Sequence, residues 1–190
     1  MVDAELIGEA LDRIDKAHRQ DPAGRALEYA RRMTRWLERL APHPSAALAI
    51  AVRAQHLRRW EIPRAGYPEG RSGYLRWRRA CARHHADKVR LILDDLCAPA
   101  ALIERVAALV RKEGLGRDTE TQALEDAACL SFLEAELAGF AEGRDPETLQ
   151  RVLGRTWEKM SLRARELAAS LDVRPPLDEV IGRLRPPSGQ

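Results

Sequence analysis

The stretch TETQALEDAACLSFLEAELAGFA, residues 119–141, decides the fold. From Asp126 a stripe runs through Leu130, Leu133, Leu137 and Phe140, at steps of 4, 3, 4 and 3. Those steps trace one face of an α-helix, whereas a strand would return to the same face at every second residue. Working outward, the same period predicts helices over residues 3–17, 25–40, 46–60, 73–96, 99–112 and 146–170, with the quoted stretch as the sixth of seven. Breaks fall where the chemistry requires them. Asp21-Pro22-Ala23-Gly24 and Pro42-His43-Pro44 interrupt the pattern, Ser45 is placed to cap the third helix, Asp118 or Thr119 the sixth, and Asp145-Pro146 opens the seventh. Residues 61–73, EIPRAGYPEGRSG, read as a loop.

Composition agrees. Val, Ile and Thr together number only 20 of 190 residues, too few for a sheet-rich chain. The expectation is an all-α protein: a single helical domain over 1–172 and a tail, 173–190, with a short helical stretch between proline pairs. Cys81, Cys97 and Cys129 are odd in number and have no metal-binding spacing, which reads as reduced thiols. The start carries acids where a secretory leader carries bases, and no apolar run suits a membrane span. The expected setting is the cytoplasm, with no membrane partner.

A net charge of +3 conceals a strong division. Residues 53–90 hold 11 basic and 3 acidic groups, and residues 91–150 hold 5 basic and 13 acidic. Two readings stand: the segments neutralise each other, or the first faces an anion while the second helps to hold a metal or water.

Three polar residues fall on apolar helical faces. Asp126 heads the stripe above, His85 shares a face with Cys81, Val89, Ile92 and Leu96, and His56 shares one with Ala49, Val52 and Trp60. A buried carboxylate needs a partner, a proton or a metal. Helices can aim such groups at one point, and imidazole with carboxylate is a common donor set for transition metals. His84 is expected to pair with Asp87 or Lys88 at the surface, and His18 and His43 read as exposed or loop residues. Around the loop, Arg58, Arg59, Arg64, Arg71, Arg76 and Arg78 surround Trp60, Tyr67, Tyr74 and Trp77. Guanidinium forks suit phosphate and aromatic faces suit bases; alternatively the aromatics anchor the core and the arginines snorkel.

These runs carry a resemblance. RAQHLRRWEIPRAGYPEGRSGYLRWRRACARHHADK, DTETQALEDAACLSFLE, GRTWEKMS and EYARRMTRWLERLAP resemble the family catalogued as domain of unknown function 4202, over about residues 5–170. The match implies membership and no particular chemistry. A second, weaker resemblance, to the HD-domain metal-dependent phosphohydrolases, rests on the order histidine, histidine, late aspartate. It implies an HD-domain-like bundle in which His56, His85 and Asp126 hold a divalent metal. The doublet departs from that pattern, because Ala86 stands where the family has aspartate and Asp87 points about 200° away from His85 on a helix. Glu120, Gln122 and Glu125 are candidates to compensate.

Three readings follow. The first is a metal-dependent phosphohydrolase of a small nucleotide or related phosphate ester. Asp126 and Lys112 would serve catalysis, with Arg59, Arg64, Tyr67, Arg71, Tyr74 and Arg78 at the substrate. The second is a metal-free HD-like binding protein that recognises a nucleotide, RNA or protein through the basic aromatic loop. The third is a structural role in which His56, His85 and Asp126 form a core hydrogen-bond network. The expected partner is a small phosphorylated ligand, with nucleic acid as a weaker candidate.

Overall fold

The computed structural model of the protein describes residues 3–171 and is helical throughout, with no strand among them. The helices are α1 (Ala4–His18), α2 (Ala26–Leu40), α3 (Ala46–Arg53), α4 (Gly70–Asp95), α5 (Ala100–Val110), α6 (Thr119–Ser131), α7 (Leu137–Ala141), α8 (Pro146–Lys159) and α9 (Leu162–Ala169). The expected tail helix in 173–190 lies outside the described residues. Among the described residues no helix is long and apolar enough to cross a membrane.

The excess over seven helices has two causes. A π-helical turn at Phe132–Glu136 separates α6 from α7. The expected seventh helix stops at Met160, and Ser161 restarts the chain by accepting the Ala164 amide. Ser45 caps α3 as expected, Asp145 caps α8, and Asp118 accepts the Thr121 amide at the start of α6.

The chain divides between Leu124 and Glu125 into two compact units. In the first, α3 is apolar nearly all round, with Ala47, Leu48, Ile50, Ala51 and Val52 buried. Such a helix belongs in the middle, and α3 packs against α1, α2 and α5, while α4 packs against α1 and α5. Arg53, its last residue, ties the surrounding helices together. Its Nη1 donates to both carboxylate oxygens of Asp15 on α1, at 2.9 and 3.1 Å, and its Nε donates to Thr34 Oγ1 on α2, at 3.0 Å.

In the second unit the buried residues include Leu130, Leu133, Leu149, Leu153, Trp157 and Leu167. Most of the stripe read from the sequence is therefore core.

The loop between α3 and α4 is pinned at two points. The Trp77 indole donates to the Ile62 carbonyl at 2.8 Å. Gly73 meets the chain at Pro68, where a Cβ would lie 1.8 Å from the Pro68 carbonyl oxygen. Gly73→Ala therefore forces backbone apart and is expected to cost about 1–3 kcal/mol in urea unfolding. By contrast, a Cβ at exposed Gly8, inside α1, would meet nothing. Gly8→Ala is expected to add about 0.5–1 kcal/mol by helix propensity alone. For Arg53→Met, which removes both hydrogen bonds to Asp15 and leaves it only the longer contact to Arg31 at 4.0 Å, the expected loss is about 2–4 kcal/mol, and the Arg53→Met/Asp15→Asn pair should recover part of it.

Candidate functional site

α3 ends seven residues earlier than its apolar period suggests. His56 and Arg58 both take left-handed backbone conformations, φ 62° and 53°, and turn the chain away. Each costs a non-glycine residue of this kind roughly 1–2 kcal/mol, so strain is concentrated here. His56 consequently sits on a turn and not on the helical face with Ala49, Val52 and Trp60.

The turn presents two carbonyls to two buried imidazoles. His18 places Nε2 2.9 Å from the Arg53 carbonyl, and His85 places Nδ1 2.8 Å from that of Leu57. A carbonyl can only accept, so each of those nitrogens carries the proton. The opposite nitrogens, His18 Nδ1 and His85 Nε2, are left as buried lone pairs with no protein partner among the described residues. His18, expected at the surface, is 1% exposed; α1 carries it inward on its last turn.

His56 lies at the centre of the turn. Its ring stacks on Tyr29 with centroids 4.3 Å apart, and lies 5.9 Å from the ring of His85. Arg59 Nη1 approaches both ring nitrogens, Nε2 at 2.8 Å and Nδ1 at 3.2 Å, while its guanidinium lies 4.8 Å from the Trp77 ring centroid. Its other guanidinium nitrogens make no protein hydrogen bond among the described residues. Burial pushes the His56 imidazole well below its ordinary value, and the charges of Arg59, His85, Lys112 and Arg78 lower it further. Burial also brings His85 down to about 4, with Arg59, His84 and His18 acting in the same direction, and lowers His18. Cys81 is buried beside Arg59 and Arg78, and loss of solvent raises its thiol against those charges.

Of the residues singled out in the sequence, the fold thus brings His85, Arg59, Arg78 and Lys112 within electrostatic reach of His56. Arg64 spends a donor on the Tyr67 carbonyl inside its own loop, at 2.8 Å. Arg71 and Tyr74 are exposed on the first turns of α4. Trp77 is a buried anchor, as the packing alternative had it. Asp126 belongs to the second unit, where it is buried and its Oδ1 accepts the Ser161 amide at 2.9 Å. The carboxylates expected to compensate have cationic partners: Glu120 with Arg105 at 2.5 Å and Glu125 with Lys159 at 3.7 Å. His84 turns to Glu61, at 3.1 Å, rather than to Asp87; Glu61 also gathers Arg58 and, at 3.3 Å, Lys88.

The fit to a metal is poor on this donor set. A divalent cation needs lone pairs and usually a carboxylate, whereas an arginine already occupies the lone-pair side of His56. Among the described residues no three His, Cys, Asp or Glu side chains gather so as to hold a metal ion. The cluster is suited to an anion: cationic groups converge on a desolvated place where their attraction is little screened.

The lowered imidazoles give a pH dependence of defined sign. In the unfolded chain they take up protons near 6.5, and in the fold they resist doing so. Unfolding then binds protons, so stability is fullest above pH 6.5 and declines as pH falls, for His85 down to about 4. His85 alone is expected to remove about 3 kcal/mol over that window. Urea midpoints measured from pH 7.5 to 4 should show the decline, and His85→Gln should flatten it.

No curated protein and no solved structure matches the chain. A family does, over residues 8–181, which contain the turn, the loop and both halves of the histidine doublet. On that match the protein belongs to the family described as Domain of unknown function (DUF4202).

Proposed function

We propose that the protein binds a small phosphorylated molecule at the Arg59–His56–His85 cluster, and does so without a metal. The observation that supports this reading is the Arg59 guanidinium seated on the His56 imidazole, with donors to spare and the charges of Arg78 and Lys112 nearby. Guanidinium recognises phosphate through paired hydrogen bonds, and Lys112 adds a second, less directional charge. A neutral His56 and His85 complete the cluster without opposing the anion, and either imidazole becomes a donor if the anion brings a proton with it.

Calorimetric titration with inorganic phosphate, pyrophosphate and nucleoside mono-, di- and triphosphates, in chelator-treated buffer, tests it. Binding should persist without metal and weaken about 10- to 100-fold in Arg59→Gln, the range expected for losing a charge-assisted hydrogen bond. No binding of any of these compounds at low salt, or binding that appears only when a divalent cation is added, overturns the reading.

One observation favours a second reading, the metal-dependent phosphohydrolase. His85 fixes Nδ1–H on a carbonyl and leaves Nε2 bare, which is the pose of a metal-bound imidazole. In that reading His56 and His85 supply imidazole ligands to the metal, Lys112 assists, and Arg64, Arg71 and Arg78 hold the ester. It expects stoichiometric metal in protein purified without an affinity tag, and release of phosphate that stops on chelation.

A further inference from the structure

His85 holds a buried lone pair that nothing in the protein uses. Its Nδ1–H is committed to the Leu57 carbonyl, so Nε2 can only accept. That nitrogen has no partner among the described residues, and His85 is only 3% exposed. A buried acceptor in this state is costly, and it calls for a donor from outside the chain.

The surroundings indicate what kind of molecule brings the donor. Trp77, Cys81 and His85 follow one another at steps of four on the buried face of α4. Arg59 lies against Trp77 and, with Arg78, acts by its charge on Cys81. It also holds His56, whose ring is 5.9 Å from that of His85. A helical side chain leans toward the start of its helix, so His85 leans along this face toward Cys81 and the two guanidinium groups. Burial apart, Arg59 is the charge that His85 feels most. His18 carries a similar bare nitrogen, Nδ1, in different company. The carboxylates of Asp15 and Asp21 act on it, and the cation near it, Arg53, is paired with Asp15. Of the two bare nitrogens, that of His85 stands among cations.

An anion held by guanidinium groups offers oxygen lone pairs, and one of these facing the lone pair of Nε2 would be repelled. The conflict disappears when one oxygen of the anion carries a proton. We propose that the cluster selects a phosphate bearing a P–OH group, as inorganic phosphate or as a phosphate monoester, and that His85 Nε2 accepts the hydrogen bond from that hydroxyl. Sulfate carries no proton near neutral pH and a phosphodiester has none to give, so both are disfavoured. The inference rests on the anion site proposed above and adds the group that decides which anion enters. The hydrogen bond joins the same two atoms whichever of them holds the proton.

Calorimetric titration of the full chain with phosphate, arsenate, methyl phosphate, sulfate and dimethyl phosphate tests it. The buffer is chelator-treated and held at about pH 6, where a monoester retains about half of its second proton. The first three are expected to bind at least about 10-fold more tightly than the last two. Charge alone predicts the reverse for sulfate, which is doubly charged where phosphate is largely singly charged. In His85→Asn the side-chain amide can still donate to the Leu57 carbonyl, while the atom at Nε2 is gone. This variant should bring phosphate and sulfate to within about threefold of each other, whereas loss of a merely structural group would weaken both alike. Circular dichroism checks that the variant folds; if it does not, the ratio in the unaltered protein decides. Sulfate bound as tightly as phosphate, as a water molecule on Nε2 would allow, or an unchanged ratio in folded His85→Asn, overturns the inference and leaves the anion site standing. Failure of every one of these compounds to bind overturns both.

Discussion

The Arg53 guanidinium on the Asp15 carboxylate is the contact on which the rest of the first unit depends. It closes the C-terminal end of the central helix against α1 and, through Thr34, against α2. The same residue offers its carbonyl to His18. Directly after it the chain enters the left-handed turn that sets His56 beside His85. A buried pair of this kind gives little net stability, because desolvation consumes most of the attraction. Its effect is geometric: it fixes where the helix stops, and so where the turn begins.

The consequence downstream is an uncommon electrostatic arrangement. Two imidazoles are held neutral by burial, each oriented by a backbone carbonyl, and a third carries a guanidinium on its ring. Carboxylates that might have balanced the cations are bound elsewhere, Glu61 by three basic groups and Glu120 by Arg105. Positive charge therefore accumulates around Arg59, and the surroundings disfavour a proton or a metal ion on His56 for the same reason that they favour an anion.

Much of the fold was legible because helices announce themselves by period. Ser45, Asp118 and Asp145 marked starts that the structure keeps. The end of α3 was not legible, because residues 53–61 contain neither glycine nor proline, and the apolar period continues through Trp60 after the backbone has turned. The burial of His18 was hidden by its neighbours, since Lys16, Arg19, Gln20 and Asp21 give that stretch a surface composition. The basic character of the site was legible from charge counts. The division of those arginines was not: Arg59 turns inward, Arg76, Arg79 and Arg83 face solvent, and Arg53 is a structural tie. That division depends on which side of a helix faces which neighbour, information carried by the tertiary packing and not by the count.

The left-handed backbone at position 56 has a meaning for how the sequence can drift. Glycine would make the same turn without the steric penalty, and a single substitution away from strain is ordinarily an easy change. An imidazole there forgoes that relief and receives in exchange the stack on Tyr29 and the hydrogen bond from Arg59. The turn as a shape does not need histidine; the chemistry gathered around the turn does.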